Sequence, residues 1–196
     1  MRTIKVIFFL LFIISMNAQS PVLPLQGSGA RSQQGAYYKD IDNIFNKFSG
    51  TWKFQNGQEI FTITLQKKVM KYDADDNIYL DILIGEYAYT NSNGLTIVNT
   101  LNNLNQDMAP FENNIGGAVI TNREELINLR GVEMYFRDPE RLYLNQYILL
   151  KFIEGSNGIA NRIEMKFRGD TSLLPNENSP KSTRVPVHDY ILTKVN

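Results

Sequence analysis

The feature that most constrains the fold is the alternation of apolar and polar residues in successive segments. Residues 162–168 read Arg-Ile-Glu-Met-Lys-Phe-Arg, so charged side chains alternate with apolar ones. Residues 59–66 repeat the pattern, with Phe61, Ile63 and Leu65 on one face and polar side chains on the other. A period of two is typical of a β-strand with one buried face and one face in water.

Turn-forming residues separate these segments at short intervals. Gly155–Gly158 separates 143–153 from 162–168, and Asp73–Asn77 separates 67–72 from 78–89. Asn91–Gly94 precedes a further segment at 95–101, and residues 132–137 and 190–195 complete the set. Strands joined in this way form hairpins. The sequence predicts an all-β fold, an antiparallel meander barrel of about 8–10 strands, in a domain spanning 36–196.

One short helix is predicted at the start of this domain. Asp40 is a suitable N-cap, and apolar residues follow at the i, i+3, i+4, i+7 spacing of a helical face from Ile41 to Phe48. Gly50 is predicted to end the helix. The segments 78–89 and 142–153 are apolar on both faces, so each needs cover from this helix, from the chain before the domain, or from another subunit.

The first nineteen residues predict export. Arg2 and Lys5 precede an unbroken apolar stretch at 6–14, and small and polar residues follow up to Gln19, as in a secretory signal peptide. An apolar stretch this short does not span a bilayer, so no stable membrane insertion is expected. We predict a signal peptide at 1–19, a flexible N-terminal arm at 20–35 rich in Pro, Gly and Ser, and a periplasmic or secreted mature protein.

Composition removes several classes of function. The chain has no cysteine, which excludes disulfides and thiolate metal sites. It has 20 acidic and 20 basic residues without a basic run, so no nucleic-acid partner is predicted.

A short motif carries a resemblance to a known family. Residues 48–52 read Phe-Ser-Gly-Thr-Trp, and this Gly-x-Trp after a short helix resembles the start of lipocalins and other calycins. The resemblance implies that Gly50 and Trp52 close the barrel floor and that a cation of the last strand, here Lys194, packs across the tryptophan ring. It also implies a barrel that holds a small ligand.

A second likeness covers more of the chain. The signal ending in Asn17–Gln19, the 48–52 block, the strand at 61–65 and the closing Tyr190–Lys194 are similar to a group of small exported Bacteroidetes proteins without a known activity. This likeness implies localisation and fold, and no catalytic residues.

Candidate chemical groups are few. His188 is the sole histidine, and its position before the last strand favours an exposed turn. The start of a calcium-binding loop is matched by Asp73, Asp75 and Asn77. The match ends there, because residues 78 and 84 are isoleucine where that motif has glycine and glutamate. Asp81 and Glu86 lie on an apolar strand, where a carboxylate either pairs with Lys or Arg or lines a polar cavity. Pairing is the preferred interpretation, and we predict no enzyme, cofactor or metal.

Two functions remain open. The first is a binding module for a small apolar or amphipathic ligand, lined by aromatic residues of the barrel: Tyr87, Tyr89, Phe111, Tyr135 and Tyr147. The second is a structural or interaction protein of the envelope or secretome with a filled barrel. A large internal cavity favours the first, and a packed interior favours the second. The protein partner is unknown in either case.

Overall fold

The computed structural model describes residues 20–25, 31, 33–106, 108–109, 111–121, 131–144, 146–170 and 176–195. The predicted signal peptide at 1–19 lies outside the described residues, as does part of the predicted arm.

The described residues form eleven strands, one short α-helix and one 3-10 helix. In chain order they are β1 (Val22–Pro24), β2 (Tyr37–Lys39), α1 (Ile44–Phe48), β3 (Gly50–Asn56), β4 (Glu59–Asp73), β5 (Ile78–Thr90), β6 (Thr96–Asn99), the 3-10 helix (Leu101–Asn105), β7 (Ile115–Thr121), β8 (Gly131–Phe136), β9 (Gln146–Ile153), β10 (Arg162–Asp170) and β11 (Tyr190–Val195).

Eight strands close into a barrel. The order around it is β3, β4, β5, β7, β8, β9, β10 and β11, and β11 pairs again with β3. Each pair is antiparallel, and the β5–β7 pair, with Leu83 opposite Gly117, completes the ring. The predicted all-β antiparallel barrel is confirmed. Closure leaves the barrel itself without an open edge.

Strand β5 organises the chain around this barrel. One of its edges pairs with β4, and the other is divided among three strands. Tyr79 and Leu80 pair with the parallel strand β2, residues 83–85 pair with β7, and residues 88–90 pair with β6. Strand β5 therefore extends beyond the barrel at both ends and carries β2 and β6 there.

The described part of the predicted arm contributes a strand of its own. Val22–Pro24 pairs in parallel with β2, and Leu25 donates its N–H to the carbonyl of Lys39 at 2.8 Å. Leu25 is buried, whereas Val22 is exposed. This segment thus adds a strand to β2, which in turn pairs with the start of β5.

The helix begins later than the sequence predicts. Residues 41–43 form a turn that ends at Asn43 in a left-handed conformation, and Ile41 is exposed, so the predicted start at Ile41 is wrong. The Asp40 carboxylate still serves the helix, because it accepts hydrogen bonds from the N–H groups of Ile44 (2.8 Å) and Phe45 (2.9 Å). These are donors that the helix itself leaves without a partner.

Cover of the outer face of β5 comes from another segment. Ile82 and Ile84 lie on the face opposite to the interior and are buried beneath Met108, Ala109 and Asn113, which come after the 3-10 helix. The helix α1 instead packs at one end of the barrel, where Phe48 meets Phe152 with ring centroids 6.1 Å apart. The helix α1 was one of the three predicted covers for a strand with two apolar faces, and it does not cover this part of β5.

Candidate functional site

The barrel interior is occupied by aromatic rings that touch one another. Tyr87 stacks on Phe136 with centroids 4.7 Å apart, and Phe61 lies 6.0 Å from Tyr87 and 4.9 Å from Tyr190. Phe167 meets Phe136 edge to face at 5.1 Å. The first four of these side chains are fully buried. An eight-stranded barrel encloses room to be filled by side chains or to hold one small ligand. Here rings from five strands, β4, β5, β8, β10 and β11, meet inside it.

One end of the barrel is closed by Trp52 and α1. The Trp52 ring is fully buried, and its Nε1–H donates to the carbonyl of Phe48 at 2.7 Å. The Lys194 ammonium lies 5.2 Å from the centroid of this ring and donates to the carbonyl of Ser49 at 3.2 Å. Gly50 has a positive φ of 121°, and a Cβ there would meet the Lys194 side chain. Glycine at this position therefore admits the lysine over the indole.

The opposite end is closed by an ion pair between two loops. Asp138 follows β8 and is fully buried, and its carboxylate accepts bonds from Arg184 Nη2 (2.7 Å), Arg184 Nε (2.9 Å) and the Arg184 backbone N–H (2.8 Å). Burial would raise the pKa of Asp138, but these bonds and the N–H of Glu140 outweigh it and lower that pKa. The pair holds the 176–189 segment across the barrel end, where Val185 is fully buried.

The five residues predicted to line a ligand cavity are not brought together. Tyr87 and Tyr89 are inside, where Tyr87 donates to the carbonyl of Arg137 at 3.0 Å and Tyr89 donates to Glu59 at 2.9 Å. Burial and the Glu59 hydrogen bond raise the pKa of Tyr89 to about 12.

Tyr135 and Tyr147 lie on the outer face. They pair with each other between β8 and β9, whereas the adjacent residues Met134 and Ile148 point into the core. Phe111 lies in the loop before β7, with its ring 6.4 Å from that of Tyr135. The predicted set is thus divided between two surfaces of the sheet.

Tyr135 covers a glycine on this outer face. A Cβ on Gly116 would come within 2.3 Å of the Tyr135 hydroxyl, so only glycine lets the ring lie there. The Arg137 guanidinium lies 4.3 Å from the ring centroid. The hydroxyl is buried and has no hydrogen-bond partner among the described residues, and burial raises the pKa of Tyr135 to about 12.

The Glu86 carboxylate also lies on the outer face of β5, where it is fully buried. It accepts bonds from Asn113 Nδ2 (3.0 Å), Asn114 Nδ2 (2.6 Å) and the Asn114 backbone N–H (3.2 Å). The donors are amides and not the cation that the sequence analysis preferred. Glu86 therefore fastens the start of β7 and its preceding loop to β5.

Asp81 pairs with a lysine, as the sequence analysis preferred. Lys67 Nζ lies 3.7 Å from Asp81 and 3.0 Å from the second buried carboxylate, Asp40. Asp81 also accepts a bond from the Tyr37 hydroxyl at 2.6 Å, and burial followed by this bond raises the Tyr37 pKa. The cluster ties β2, β4 and β5 together beside α1.

A β-bulge in β4 adjoins this cluster. The register shifts between Lys68 and Lys71, and Met70 has a positive φ of 52°. The Met70 N–H donates to Asp81 at 3.1 Å, so the buried carboxylate holds the bulge in place. A bulge reorients the side chains that flank it.

A small cleft lies on the outer face next to the bulge. It has a volume of about 40 Å³ and lies between β4, β5 and described residues of the chain between the 3-10 helix and β7. Its lining combines lysine, apolar and amide side chains: Lys68, Lys71, Ile82, Ile84, Gln106, Met108, Ala109 and Asn113. We name it the β4–β5 cleft. Sequence reasoning missed it because the bulge and the covering loop are set by contacts distant in the chain.

The remaining candidate groups, the aspartates of the β4–β5 turn and His188, contact neighbouring protein groups. Asp73 Oδ1 accepts the N–H of Asp75 at 3.1 Å inside the β4–β5 turn. His188 is exposed, and its ring lies 3.9 Å from that of Tyr190. In the described part of the chain, no three His, Cys, Asp or Glu side chains are grouped so that they could hold a metal ion.

None of the helices in the described ranges has the length and apolar character needed to cross a membrane. A scan against models of known protein families matches a family of unknown function, DUF6705, over residues 1–195, so the chain belongs to that family. Searches of curated proteins and of solved structures find no match.

Proposed function

We propose that this member of the DUF6705 family is an exported, non-catalytic binding module that uses the outside of a filled, lipocalin-like barrel. The observation that carries the proposal is the cluster of touching rings around Tyr87, Phe136 and Phe61 in the barrel interior. Buried side chains in contact at these distances occupy the room in which a lipocalin-like barrel holds its ligand.

Both barrel ends strengthen this argument. Trp52 and α1 cover one end, and the Asp138–Arg184 pair holds a loop across the other. A ligand that reached the interior would have to separate a buried ion pair or displace a fully buried indole. Removing one partner of a buried ion pair costs about 3–5 kcal/mol, which a small apolar molecule does not readily supply.

The non-catalytic part of the proposal rests on how the acidic side chains are used. Asp40 accepts helix N–H groups, Asp81 holds the bulge, Glu86 fastens a loop and Asp138 pairs with Arg184. Each buried carboxylate stabilises a connection between segments. Export is proposed from the sequence at 1–19, and the Lys194 contact with Trp52 supports the lipocalin-like kinship.

The interior is tested with toluene as a small apolar probe, titrated into the purified mature protein by calorimetry. We expect no saturable binding to the wild type. Phe136→Ala should gain a toluene site, because truncating a buried ring leaves an apolar cavity of the kind that accepts benzene. If Phe136→Ala does not fold, Leu150→Ala replaces it in the titration, because truncating this smaller side chain leaves a smaller cavity.

Saturable toluene binding to the wild type that Phe136→Ala or Tyr87→Ala alters would overturn the proposal and favour a ligand inside the barrel. Leu142→Ala is the matched control, because this side chain is 64% exposed and belongs to neither the interior nor the cleft. Its toluene response should equal that of the wild type.

A further inference from the structure

We infer that the β4–β5 cleft binds a small anionic amphiphile, a carboxylate attached to a short apolar group. The inference rests on the proposed function, because it places a ligand on the outside of the barrel and names its chemical class. It depends on the direction of two lysines, on the lack of an ion pair to either of them among the described residues, and on the apolar floor beneath them.

The bulge places both lysines on one face of the sheet. Residues three apart on a regular strand point to opposite faces. Here Lys68 lies opposite Ile82 and Lys71 lies opposite Leu80, and those two partners are themselves two residues apart. Directly opposed residues share a face, so Lys68 and Lys71 point the same way. The αL conformation of Met70 is the local cause.

The ammonium groups of Lys68 and Lys71 differ from that of Lys67 in their pairing. Lys67, their neighbour in sequence, contacts Asp40 and Asp81, but neither Lys68 nor Lys71 forms an ion pair within the ranges that the structure describes. Two like charges on one face repel each other, and a bound anion would relieve this repulsion. Both lysines line the cleft and are half-buried.

The rest of the cleft is suited to a short apolar group. Ile82 is fully buried, Ile84 is 7% exposed, and Met108 completes the apolar wall. A volume of about 40 Å³ corresponds to roughly three water-sized positions. That room matches a propyl group, so a four-carbon carboxylate fills the cleft and leaves its anion beside the lysines.

The geometry of the cleft is fixed by buried polar groups. The Asp81 carboxylate holds the bulge that directs the lysines, and the Glu86 carboxylate binds Asn113, which lines the cleft from the loop side. Groups held by such bonds are positioned before the ligand arrives, which lowers the entropic cost of binding.

The test titrates butyrate into the mature protein with ¹³C-labelled isoleucine and methionine methyl groups. We expect saturable shifts at Ile82, Ile84 and Met108, with millimolar affinity. Lys68→Gln combined with Lys71→Gln should weaken binding about tenfold, the combined effect of two partly exposed charge contacts. The matched control, Lys47→Gln with Lys181→Gln, removes two exposed lysines elsewhere and should leave the affinity unchanged.

Three further ligands separate the contributions. Butanol keeps the chain without the charge, formate keeps the charge without the chain, and butylamine reverses the charge. Each should bind more weakly than butyrate, and butylamine should have the lowest affinity of the three. The inference is overturned if butyrate gives no saturable shift at the cleft methyls, or if the Lys68/Lys71 double variant binds it as well as the wild type does.

Failure here is distinguishable from failure of the proposed function. Absence of butyrate binding while toluene stays out of the wild-type barrel removes only the ligand assignment. Butyrate-induced shifts concentrated at the interior methyls of Ile148, Ile163 and Met165 would instead place the ligand inside and overturn both.

Discussion

Replacing Arg184 with methionine tests the closure of the barrel end opposite α1. The substitution keeps the length of the apolar stem and removes the guanidinium that donates to the buried Asp138 carboxylate. A buried carboxylate left without its cation costs about 3–5 kcal/mol. Asp138 keeps the backbone N–H donors of residues 184 and 140. We therefore expect the free energy of unfolding to fall by about 3 kcal/mol, the lower end of this range.

The effect should depend on pH in a defined direction. In the wild type the bonds to Asp138 lower its pKa below 3.8, although burial alone would raise it. A carboxyl with a lowered folded-state pKa stabilises the fold fully above its unfolded pKa, and this contribution is lost as pH falls through the folded pKa. The difference between wild type and Arg184→Met should therefore be largest at pH 7 and shrink below about pH 4.

Urea unfolding followed by circular dichroism measures both effects. With a slope of about 2 kcal/mol per molar urea, the pH 7 midpoint should fall by about 1.5 M. Glu140→Gln is the control: Glu140 contacts Arg184 Nη1 at 2.6 Å, but its side chain is 72% exposed, so the loss should stay below about 1 kcal/mol. A loss under 1 kcal/mol for Arg184→Met, or a loss that is the same at pH 7 and pH 3, would show that the Asp138–Arg184 pair does not stabilise this end of the barrel.

Trp52→Ala should destabilise the protein by about 3–5 kcal/mol in urea unfolding, because it removes a fully buried ring; native tryptophan emission at the wavelength of a solvent-exposed indole would contradict the burial. Tyr135→Phe should leave stability unchanged or raise it by about 1 kcal/mol, because it removes a buried hydroxyl without a partner among the described residues; a loss above 1 kcal/mol by the same measurement would show that the hydroxyl is bonded. Deletion of residues 1–19 should yield a folded domain that stays in the supernatant without detergent and should abolish export, as followed by fractionation; a truncated protein in the membrane pellet would contradict this.

The strand content and the barrel could be predicted because their signals are local. Alternation in 59–66 and 162–168 identifies strands, and the turns at 73–77 and 155–158 fix their succession. The sequence predicts 59–66 and 67–72 as separate segments, whereas in the structure they form one strand, β4, with a bulge at Met70 inside the second segment. The bulge is stabilised by a residue of another strand, Asp81. No pattern within the sequence of β4 therefore predicts it.

Strand β7 was missed for a related reason. It contains Gly116 and Gly117, which lower the strand signal. Both glycines are needed by their neighbours: a Cβ on Gly116 would meet Tyr135, and a Cβ on Gly117 would come within 2.7 Å of the backbone of Glu133. Their role is visible only after β7 and β8 are paired.

The division of the predicted lining residues was partly available in the sequence. In β8, Val132, Met134 and Phe136 alternate with a second set that contains Glu133 and Tyr135. The apolar set lies inside and the set with the glutamate lies outside, so parity along the strand already separates Tyr135 from the interior. Parity does not predict that Met108, Ala109 and Asn113 cover part of the outer face and turn it into a cleft.

The most direct test of a filled barrel with an external site is a crystal structure of the mature protein under xenon pressure. Xenon occupies apolar cavities without forming directional bonds, so it reports empty apolar space. We expect no xenon among Tyr87, Phe136 and Tyr190, and xenon beside Ile82 and Met108 in the β4–β5 cleft. Xenon within the aromatic cluster, with an empty cleft, would contradict this expectation.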